Sequence, residues 1–298
     1  MRALPEQVLY RPFDRLPYRM AMDLVTVPEP AWFEIDQQYP PEMAEKRRLL
    51  ATVRDEVFAA TPLSNAGRTE ALNLILAALV RHHPDWFSRD GTMLRNHLTE
   101  ELWAIGSVDP LELAGRLVQE DLCLIQLNDD GPVFSAAVLC FPSRWRLMEK
   151  LGKPLSAVHG PVPLYAERLG GPVNRFMRHL KPGHIVSRLN WSLLDDPALF
   201  QPDGKWRTDS LTDITAENAG DRVFLRVERQ TLRRLPDSLA ILFGIRVHVY
   251  PLSRVIDRPA TATTLAAAVH ALPEAVQRYK SLLPFRQALR GWLQARTS

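Results

Sequence analysis

Three segments with strand-like alternation carry polar side chains that could do chemistry. The set comprises Arg188 and Asn190 in the first segment, Arg226, Glu228 and Gln230 in the second, and Arg246, His248 and Tyr250 in the third. Successive side chains of a strand point to opposite faces, so the members of each group share a face. If the strands pair, we expect one polar face with three arginines and one carboxylate. Guanidinium groups bind carboxylates bidentately, so this face could hold an acidic cofactor, although a solvated outer face gives the same pattern.

Glu228 is the single acid on the expected polar face. A secondary amine is cationic at neutral pH, and burying its charge requires an anionic partner. Neighbouring arginines would keep the carboxylate ionised, and it could accept the amine proton during an oxidation. The alternative is that Glu228 pairs with Arg226, Arg246 or Arg254 and holds the sheet together. Glu228, Arg226, Arg246 and Arg254 are therefore the candidate catalytic residues.

His159 is the candidate metal ligand. It opens the segment His-Gly-Pro-Val-Pro at residues 159–163. Proline restricts the backbone, so we expect a stiff loop at the start of a helix, which would fix the direction of the imidazole. His184, His179 and His248 are alternative ligands. A structural histidine bonded to the backbone fits the spacing as well.

Several classes of site lack their sequence motifs here. The chain has no HExxH pair, no Gly-rich phosphate loop and no serine nucleophile elbow, so hydrolases and nucleotide-dependent enzymes gain no support. Its two cysteines, Cys123 and Cys140, lack the spacing of a zinc or iron–sulfur site. Because two thiols cannot supply a disulfide framework, we expect a reduced, cytoplasmic protein.

Composition and charge limit the classes of partner that we expect this chain to bind. Among 298 residues, Lys and Arg number 37 and Asp and Glu 34, and this small excess is spread along the chain, so we expect no nucleic acid partner. The strongly apolar stretch at residues 74–80 is far shorter than the roughly 20 residues that cross a bilayer. The first residues show neither an apolar run nor a cleavage site, so we expect no secretory signal and no membrane contact.

The elements that must position these residues divide into three parts. Residues 1–120 should form an ordered extended segment followed by helices, residues 121–260 a β-rich core, and residues 261–298 C-terminal helices. The extended segment is rich in proline and in aromatic residues, namely Tyr10, Phe13, Tyr18, Trp32, Phe33 and Tyr39. Helical periodicity predicts helices at residues 42–60, 65–81, 93–103 and 111–120.

The core carries two strands, then helices, then three strands. The predicted strands are residues 122–127, 133–141, 185–193, 223–230 and 239–252, with a hairpin turn at residues 128–131. Ser143 should cap a helix over residues 144–151. The order predicts an α+β fold with a five-stranded antiparallel sheet and helices inserted between its second and third strands, which is the layout of a PAS domain.

Three strings resemble the haem-binding PAS-fold subunit of the haem-dependent oxidative N-demethylase family, a dimethylamine monooxygenase type. They are Phe-Pro-Ser-Arg-Trp at residues 141–145 with the string at 159–163, Arg-Leu-Asn-Trp at 188–191, and Arg-Val-Glu-Arg-Gln-Thr-Leu-Arg-Arg-Leu-Pro at 226–236. The last is the most specific, because it has no general structural rationale. The resemblance extends from about residue 10 to 260.

This resemblance implies b-type haem, activation of molecular oxygen and oxidation of an N-methyl group of a small secondary amine such as dimethylamine. It also implies a partner reductase that carries flavin and an iron–sulfur cluster, and a folate-binding subunit for the released formaldehyde. We expect His159 to bind the iron. The further cofactor contacts expected are Arg188, Asn190, Trp191 and Arg229.

Two other functions fit the same residues. A haem-binding gas or redox sensor would use the same PAS scaffold, and a haem-free binding protein would retain the fold alone. The chain has neither a dinucleotide motif nor enough cysteine for a cluster, so an oxygenase of this type must receive its electrons from another protein.

Overall fold

Seven strands form the main sheet of the computed structural model, which describes residues 7–14 and 21–297. The strands, including those of a second, smaller sheet, are β1 (Val25–Thr26), β2 (Phe58–Ala60), β3 (Phe87–Asp90), β4 (Met93–Asn96), β5 (Glu101–Ala104), β6 (Asp121–Asn128), β7 (Gly131–Val138), β8 (Ile185–Leu194), β9 (Phe224–Arg234) and β10 (Ile241–Pro251). The main sheet has the order β1-β8-β9-β10-β6-β7-β2, and its neighbouring strands are antiparallel.

Helices cover both faces of this sheet. They are α1 (Tyr39–Thr52), α2 (Arg54–Val57), α3 (Asn65–His82), α4 (Pro110–Gly115), α5 (Leu155–Val158), α6 (Gly171–His179), α7 (Ala219–Arg222), α8 (Leu252–Val255), α9 (Pro259–His270), α10 (Glu274–Tyr279) and α11 (Arg286–Gln294). A turn of π-helix, Ala166–Gly170, leads into α6. The fold is therefore α+β, as predicted.

The five predicted strands are confirmed as β6 to β10, side by side in the order β7-β6-β10-β9-β8. Their apolar runs are long, and Asn128, Asp129, Asp130 and Gly131 supply the hairpin turn, in which Gly131 has φ of 127°. The short strands β2 and β1 extend the sheet at its two edges. The sequence did not predict these two additions.

The prediction of a helix over residues 93–103 is wrong. This segment contains β4 and β5, which form a three-stranded meander with β3. The turn from β3 to β4 contains Gly91 at φ of 54°, and a second turn places Glu100 at φ of 57°. These left-handed turns reverse the chain every few residues, so no helix can propagate.

Three further helix predictions need correction, and the one at residues 111–120 is shortened to α4, which ends at Gly115. The predicted helix at residues 144–151 is replaced by an irregular segment with one 3-10 turn, because Arg144 has φ of 61° and its backbone N–H donates to the carbonyl oxygen of Gln201 at 2.6 Å. The predicted helix at residues 42–60 ends earlier. Its last residues form β2, which pairs with β7 and covers that edge of the sheet.

The N-terminal segment packs against the body of the protein where it is described. Phe13, Trp32, Phe33 and Tyr39 are buried, which confirms the predicted ordered segment for these residues. Tyr18 lies outside the described residues. The predicted C-terminal helices are present as α9 to α11, and the chain between them is interrupted at Pro273 and Pro284. They pack on the sheet through a core that includes Leu225, Val227 and Trp292.

No helix within residues 7–14 and 21–297 is long and apolar enough to span a membrane.

Candidate functional site

Strand register places the predicted polar residues on two different faces of the sheet. Residues directly opposite each other on neighbouring strands point the same way. Asn190 lies opposite Glu228, whereas Arg246 lies opposite Arg229. Because positions 228 and 229 point to opposite sides, the prediction of one shared polar face is wrong for Arg246, His248 and Tyr250. We call the side with Arg188, Asn190, Glu228 and Gln230 the cavity face, and the side with Arg229, Arg246 and His248 the network face.

The network face is a buried set of ion pairs. Arg246 is fully buried and contacts Glu42 at 2.7 Å and Asp36 at 2.8 Å. Glu34 contacts Arg229 at 3.2 Å and the Nε2 atom of His248 at 3.0 Å. These carboxylates come from the N-terminal segment and α1, so the network ties both to the sheet.

Arg229 also donates to the backbone. Its Nη1 atom contacts the carbonyl oxygen of Trp32 at 3.1 Å, and its Nη2 atom contacts that of Ala31 at 2.5 Å. Arg246 and Arg229 are therefore held by partners inside the chain, on the side away from the cavity described below.

Arg226 and Arg254 also lie away from the cavity. Arg226 is on the cavity side of β9 by register, opposite Ser192, but it is fully buried. Its guanidinium donates to the carbonyl oxygens of Phe141 at 2.6 Å and Leu199 at 3.3 Å, so it anchors two loops. Arg254 is exposed in α8. Among the described residues, the lining of the cavity includes none of Arg226, Arg229, Arg246 and Arg254.

A cavity of about 680 Å³ lies against the cavity face. This volume is within the range of about 300–1,000 Å³ that is typical of small-molecule and cofactor sites. The predicted site residues in its wall are His159, Arg188, Asn190, Trp191 and Glu228. β1 pairs with Val186 and Ser187, and residues 188–192 of β8 border the cavity with side chains of both faces of the strand.

His159 lies at the end of α5, so its predicted place at a helix start is wrong. Its Nδ1 atom is 2.9 Å from the carbonyl oxygen of Leu155, and its ring stacks on Tyr165 with centroids 4.4 Å apart. Since a carbonyl only accepts, Nδ1 carries the proton and Nε2 keeps its lone pair. Burial lowers the pKa of His159, against the opposing effect of the Leu155 bond. The geometry thus holds a neutral imidazole, the form that binds metals.

The alternative histidine ligands are placed elsewhere. His179 and His184 are exposed, and His248 belongs to the network face. His179 Nδ1 lies 2.7 Å from the carbonyl oxygen of Arg175. In the part of the chain that the structure describes, none of these three side chains lines the cavity.

Glu228 is held by two amides. The side-chain nitrogens of Gln230 and Asn190 donate to its Oε2 atom at 2.8 and 3.2 Å. Within residues 7–14 and 21–297, the Oε1 atom accepts no hydrogen bond, so it can receive a ligand N–H. The carboxylate therefore sits in the cavity wall with neutral donors on one side.

Two lysines that the sequence did not reveal complete this wall. Lys205 Nζ donates to the hydroxyl of Tyr279 at 3.2 Å, and Lys280 Nζ donates to the carbonyl oxygen of Trp191. The ammonium groups lie 4.3 Å and 5.8 Å from the ring centroids of Tyr279 and Trp191. Burial lowers the pKa of each to about 8, while nearby Glu228 opposes this shift. Neither lysine belongs to a motif, so no sequence signal marked them.

The donor set of the cavity fits a haem. A porphyrin needs flat apolar walls, an iron ligand and cations for its two propionates. His159 offers an Nε2 lone pair, and Arg188 and Lys150 are cations of the wall. The apolar lining includes Ile125, Phe134, Leu155, Val173, Phe176, Met177, Leu232 and Phe243. The hydroxyl of Tyr165, beside His159, is buried without a hydrogen-bond partner in the described chain, which suits a pocket built for a ligand.

Comparison with known families agrees with this chemistry. The family model described as haem-dependent oxidative N-demethylase, alpha subunit-like, matches residues 24–290. The match includes β1 to β10 and every cavity residue from Leu24 to Lys280. The description indicates dependence on haem and an enzyme with more than one kind of subunit. The resemblance seen in the sequence strings is confirmed, and the chain belongs to the haem-dependent oxidative N-demethylase, alpha subunit-like, family.

Proposed function

We propose that this chain is the haem-binding oxygenase subunit of an enzyme that removes a methyl group from a small secondary amine of the dimethylamine type. The observation that carries the proposal is the placement of His159 and Glu228 in the wall of one cavity. His159 offers a lone pair on Nε2, and Glu228 offers a carboxylate oxygen. These are the two groups that an iron and a cationic amine require.

His159 is the proposed iron ligand of a b-type haem. The Leu155 carbonyl fixes its tautomer and the Tyr165 ring fixes its plane, so the imidazole is oriented before the cofactor binds. Arg188 is the proposed propionate contact, and Asn190 and Trp191 border the same space. When bound, the haem supplies oxygen activation, with electrons that reach it from outside the chain.

Glu228 is the proposed amine site. Its Oε1 atom can accept an N–H of the cationic substrate, because the two amides occupy Oε2. A carboxylate in this position offsets the cost of taking the ammonium out of water, and it can accept the amine proton during the oxidation. Arg246 donates to Glu42, Asp36 and the backbone carbonyl of Val247, which argues against the alternative that it pairs with Glu228.

The proposed core of the subunit is PAS-like. Two strands, a helical insertion and three further strands follow one another over residues 121–260, and these five strands are adjacent in the sheet. Residues 1–120 are the proposed N-terminal extension, and residues 261–298 the proposed C-terminal helices. Phe13 and Lys280 line the cavity, so both outer parts help to close it.

The proposed partners supply what this chain lacks. Cys123 and Cys140 are both buried, and Cys123 borders the cavity. Neither is placed to hold a cluster at a docking surface, so we assign flavin and an iron–sulfur cluster to a partner reductase. A folate-binding subunit would take up the formaldehyde. We place the enzyme in the cytoplasm, with no nucleic acid and no membrane partner.

Haem titration of the purified chain tests the iron ligand. We expect a Soret band at one haem per chain, and we expect His159→Ala to lose stoichiometric binding. His184→Ala is the matched control, because His184 is exposed and should leave the spectrum unchanged. A normal histidine-ligated spectrum in the His159→Ala protein would refute the assignment.

Oxygen uptake tests the activity. With a reductase or a chemical reductant, the loaded chain should consume oxygen only when amine is present and release formaldehyde in equal amount. A haem that responds to gases without amine turnover would instead identify a sensor. A chain that never acquires a Soret band would identify a haem-free binding protein.

A further inference from the structure

Lys205 and Lys280 converge on the cavity wall from distant parts of the chain. Lys205 lies in the loop between β8 and α7, and Lys280 directly follows α10. Both border the cavity, as does Glu228. The chain therefore places two ammonium groups and one carboxylate at the same side of the cavity.

In the described part of the chain, both ammonium groups are bound by neutral partners. Lys205 is bound by a hydroxyl and Lys280 by a backbone carbonyl, each beside an aromatic ring. Among the residues that the structure describes, no carboxylate lies within 4.0 Å of either nitrogen, whereas fully buried Lys46 has Asp121 at 3.7 Å. A half-buried cation with only neutral partners is costly, and an anionic ligand would remove that cost.

Charge balance disfavours a bare alkylammonium at this site. Both lysines are close enough to Glu228 for their charges to interact with its carboxylate. A cationic amine bound to Glu228 would therefore be repelled by both ammonium groups. A ligand with an ammonium and a carboxylate would instead match both signs. A haem propionate fits less well, because it would place a second carboxylate beside Glu228.

We propose that the substrate is an N-methylated amino acid, whose ammonium binds Glu228 and whose carboxylate binds Lys205 and Lys280. This inference rests on the proposed function and replaces its dimethylamine-type amine with a secondary amine that also carries a carboxylate. For N-methylglycine, oxidation of the methyl carbon gives glycine, formaldehyde and water from one oxygen molecule, with two protons and two electrons from the partner reductase.

Calorimetry on the full chain tests the proposal without turnover. N-methylglycine and dimethylamine would be titrated into the haem-free and the haem-loaded protein at neutral pH. We expect N-methylglycine to bind about 10- to 150-fold more tightly than dimethylamine, the range set by one charge-assisted hydrogen bond. Equal or tighter binding of dimethylamine in both forms would overturn the proposal.

Variants of the two lysines test where the carboxylate of N-methylglycine binds. Lys205→Met and Lys280→Met should each reduce the affinity for N-methylglycine by about tenfold or more and leave the affinity for dimethylamine equal or higher. Both substitutions keep an unbranched side chain that is one atom shorter and remove a poorly compensated charge, so the fold should persist. Lys181→Met is the matched control, because Lys181 is exposed and outside the cavity wall.

The haem content of the lysine variants shows which carboxylate the lysines bind, that of a haem propionate or that of N-methylglycine. If both lysine variants lose haem and keep the wild-type preference between the two amines, the lysines bind propionates and the inference fails. If the chain never binds haem, the proposed function fails, while the haem-free titrations still decide whether the zwitterion site exists. If dimethylamine is demethylated at haem and N-methylglycine does not bind, only this inference fails.

Discussion

The two faces of the main sheet use the same residue types in opposite ways. On the network face, Arg246 and Arg229 contact Glu42, Asp36 and Glu34, all supplied by the chain itself. On the cavity face, Glu228 is held by amides and the nearby lysines by neutral oxygens. Ion pairs within the chain hold the N-terminal segment and α1 on the sheet. Charges left with neutral partners around a cavity yield a place for a ligand.

The largest expected effect is on the network face. Arg246→Ala would remove the buried cation that contacts both Glu42 and Asp36, so we expect it to lower the free energy of unfolding by about 3–5 kcal/mol. Denaturant unfolding followed by circular dichroism measures this loss. Arg48→Ala is the control, since the exposed Arg48–Glu45 pair should be worth about 0.5 kcal/mol or less. A loss below about 1 kcal/mol for Arg246→Ala would contradict the claim that the ion pairs of the network face stabilise the fold.

Glu120, beside the network face, should make stability depend on pH. Burial raises the pKa of Glu120 from 4.5 to about 7, against the opposing field of Arg246. Below pH 4.5 the folded and unfolded states are both protonated. As pH rises towards 7 the unfolded state loses the proton first, so the free energy of unfolding falls by about 3 kcal/mol.

Glu120→Gln isolates this effect. The amide can still accept from the Glu34 N–H, which contacts Oε1 at 3.0 Å, but it cannot ionise. We expect the variant to match the wild type near pH 4.5 and to exceed its stability near pH 8. Parallel pH profiles of the two proteins, from denaturant unfolding, would show that Glu120 does not titrate in this range.

On the cavity face, Arg188 should matter for haem more than for folding. Arg188→Ala is expected to weaken haem retention by about 1.5–3 kcal/mol, as the loss of one charge-assisted contact. Haem transfer to apomyoglobin measures retention. Arg226→Ala serves as the comparison, because Arg226 anchors loop carbonyls and should lower stability instead. Equal haem retention in Arg188→Ala and wild type would remove Arg188 from the site.

Glu228 should show the smallest effect on stability. Glu228→Gln keeps the shape of the side chain, so we expect a change within about 1 kcal/mol and normal haem loading. Amine-induced shifts of the haem spectrum and amine-dependent oxygen uptake should both be lost. Unchanged amine affinity would refute the role, and loss of folding would show that Glu228 belongs to a structural network like that of Arg246.

The sequence was sufficient where the signal is local. Long alternating runs and the turn at residues 128–131 predicted β6 to β10, since both signals act within a few residues. The short strands β3 to β5 were missed, because runs of four residues do not distinguish a strand from a helix. The position of Arg144 at φ of 61° depends on its backbone bond to distant Gln201, so the predicted helix could not be excluded beforehand.

The site was predictable only in part, because the face on which a side chain lies depends on the pairing register between neighbouring strands. The alternation within each strand was correct, but a shift of one residue between strands exchanges the faces, and Arg246 was therefore assigned to the wrong side. Glu228 was selected as the one acid on the expected polar face and His159 from its proline-rich loop, and both lie in strings that resemble the family. Lys205 and Lys280 come from a loop and a helix end, so only tertiary packing brings them to the cavity.

The residues that line the cavity come from nearly the full length of the chain, from Pro12 to Lys280. A ribosome delivers these residues in order, so the part of the wall next to Lys280 is made last. A chain that stalls after β10 would already contain His159 and Glu228 but would lack α10, and the site would stay open beside Trp191, where Lys280 normally binds. The wall of the cavity is therefore complete only after the C-terminal helices have docked.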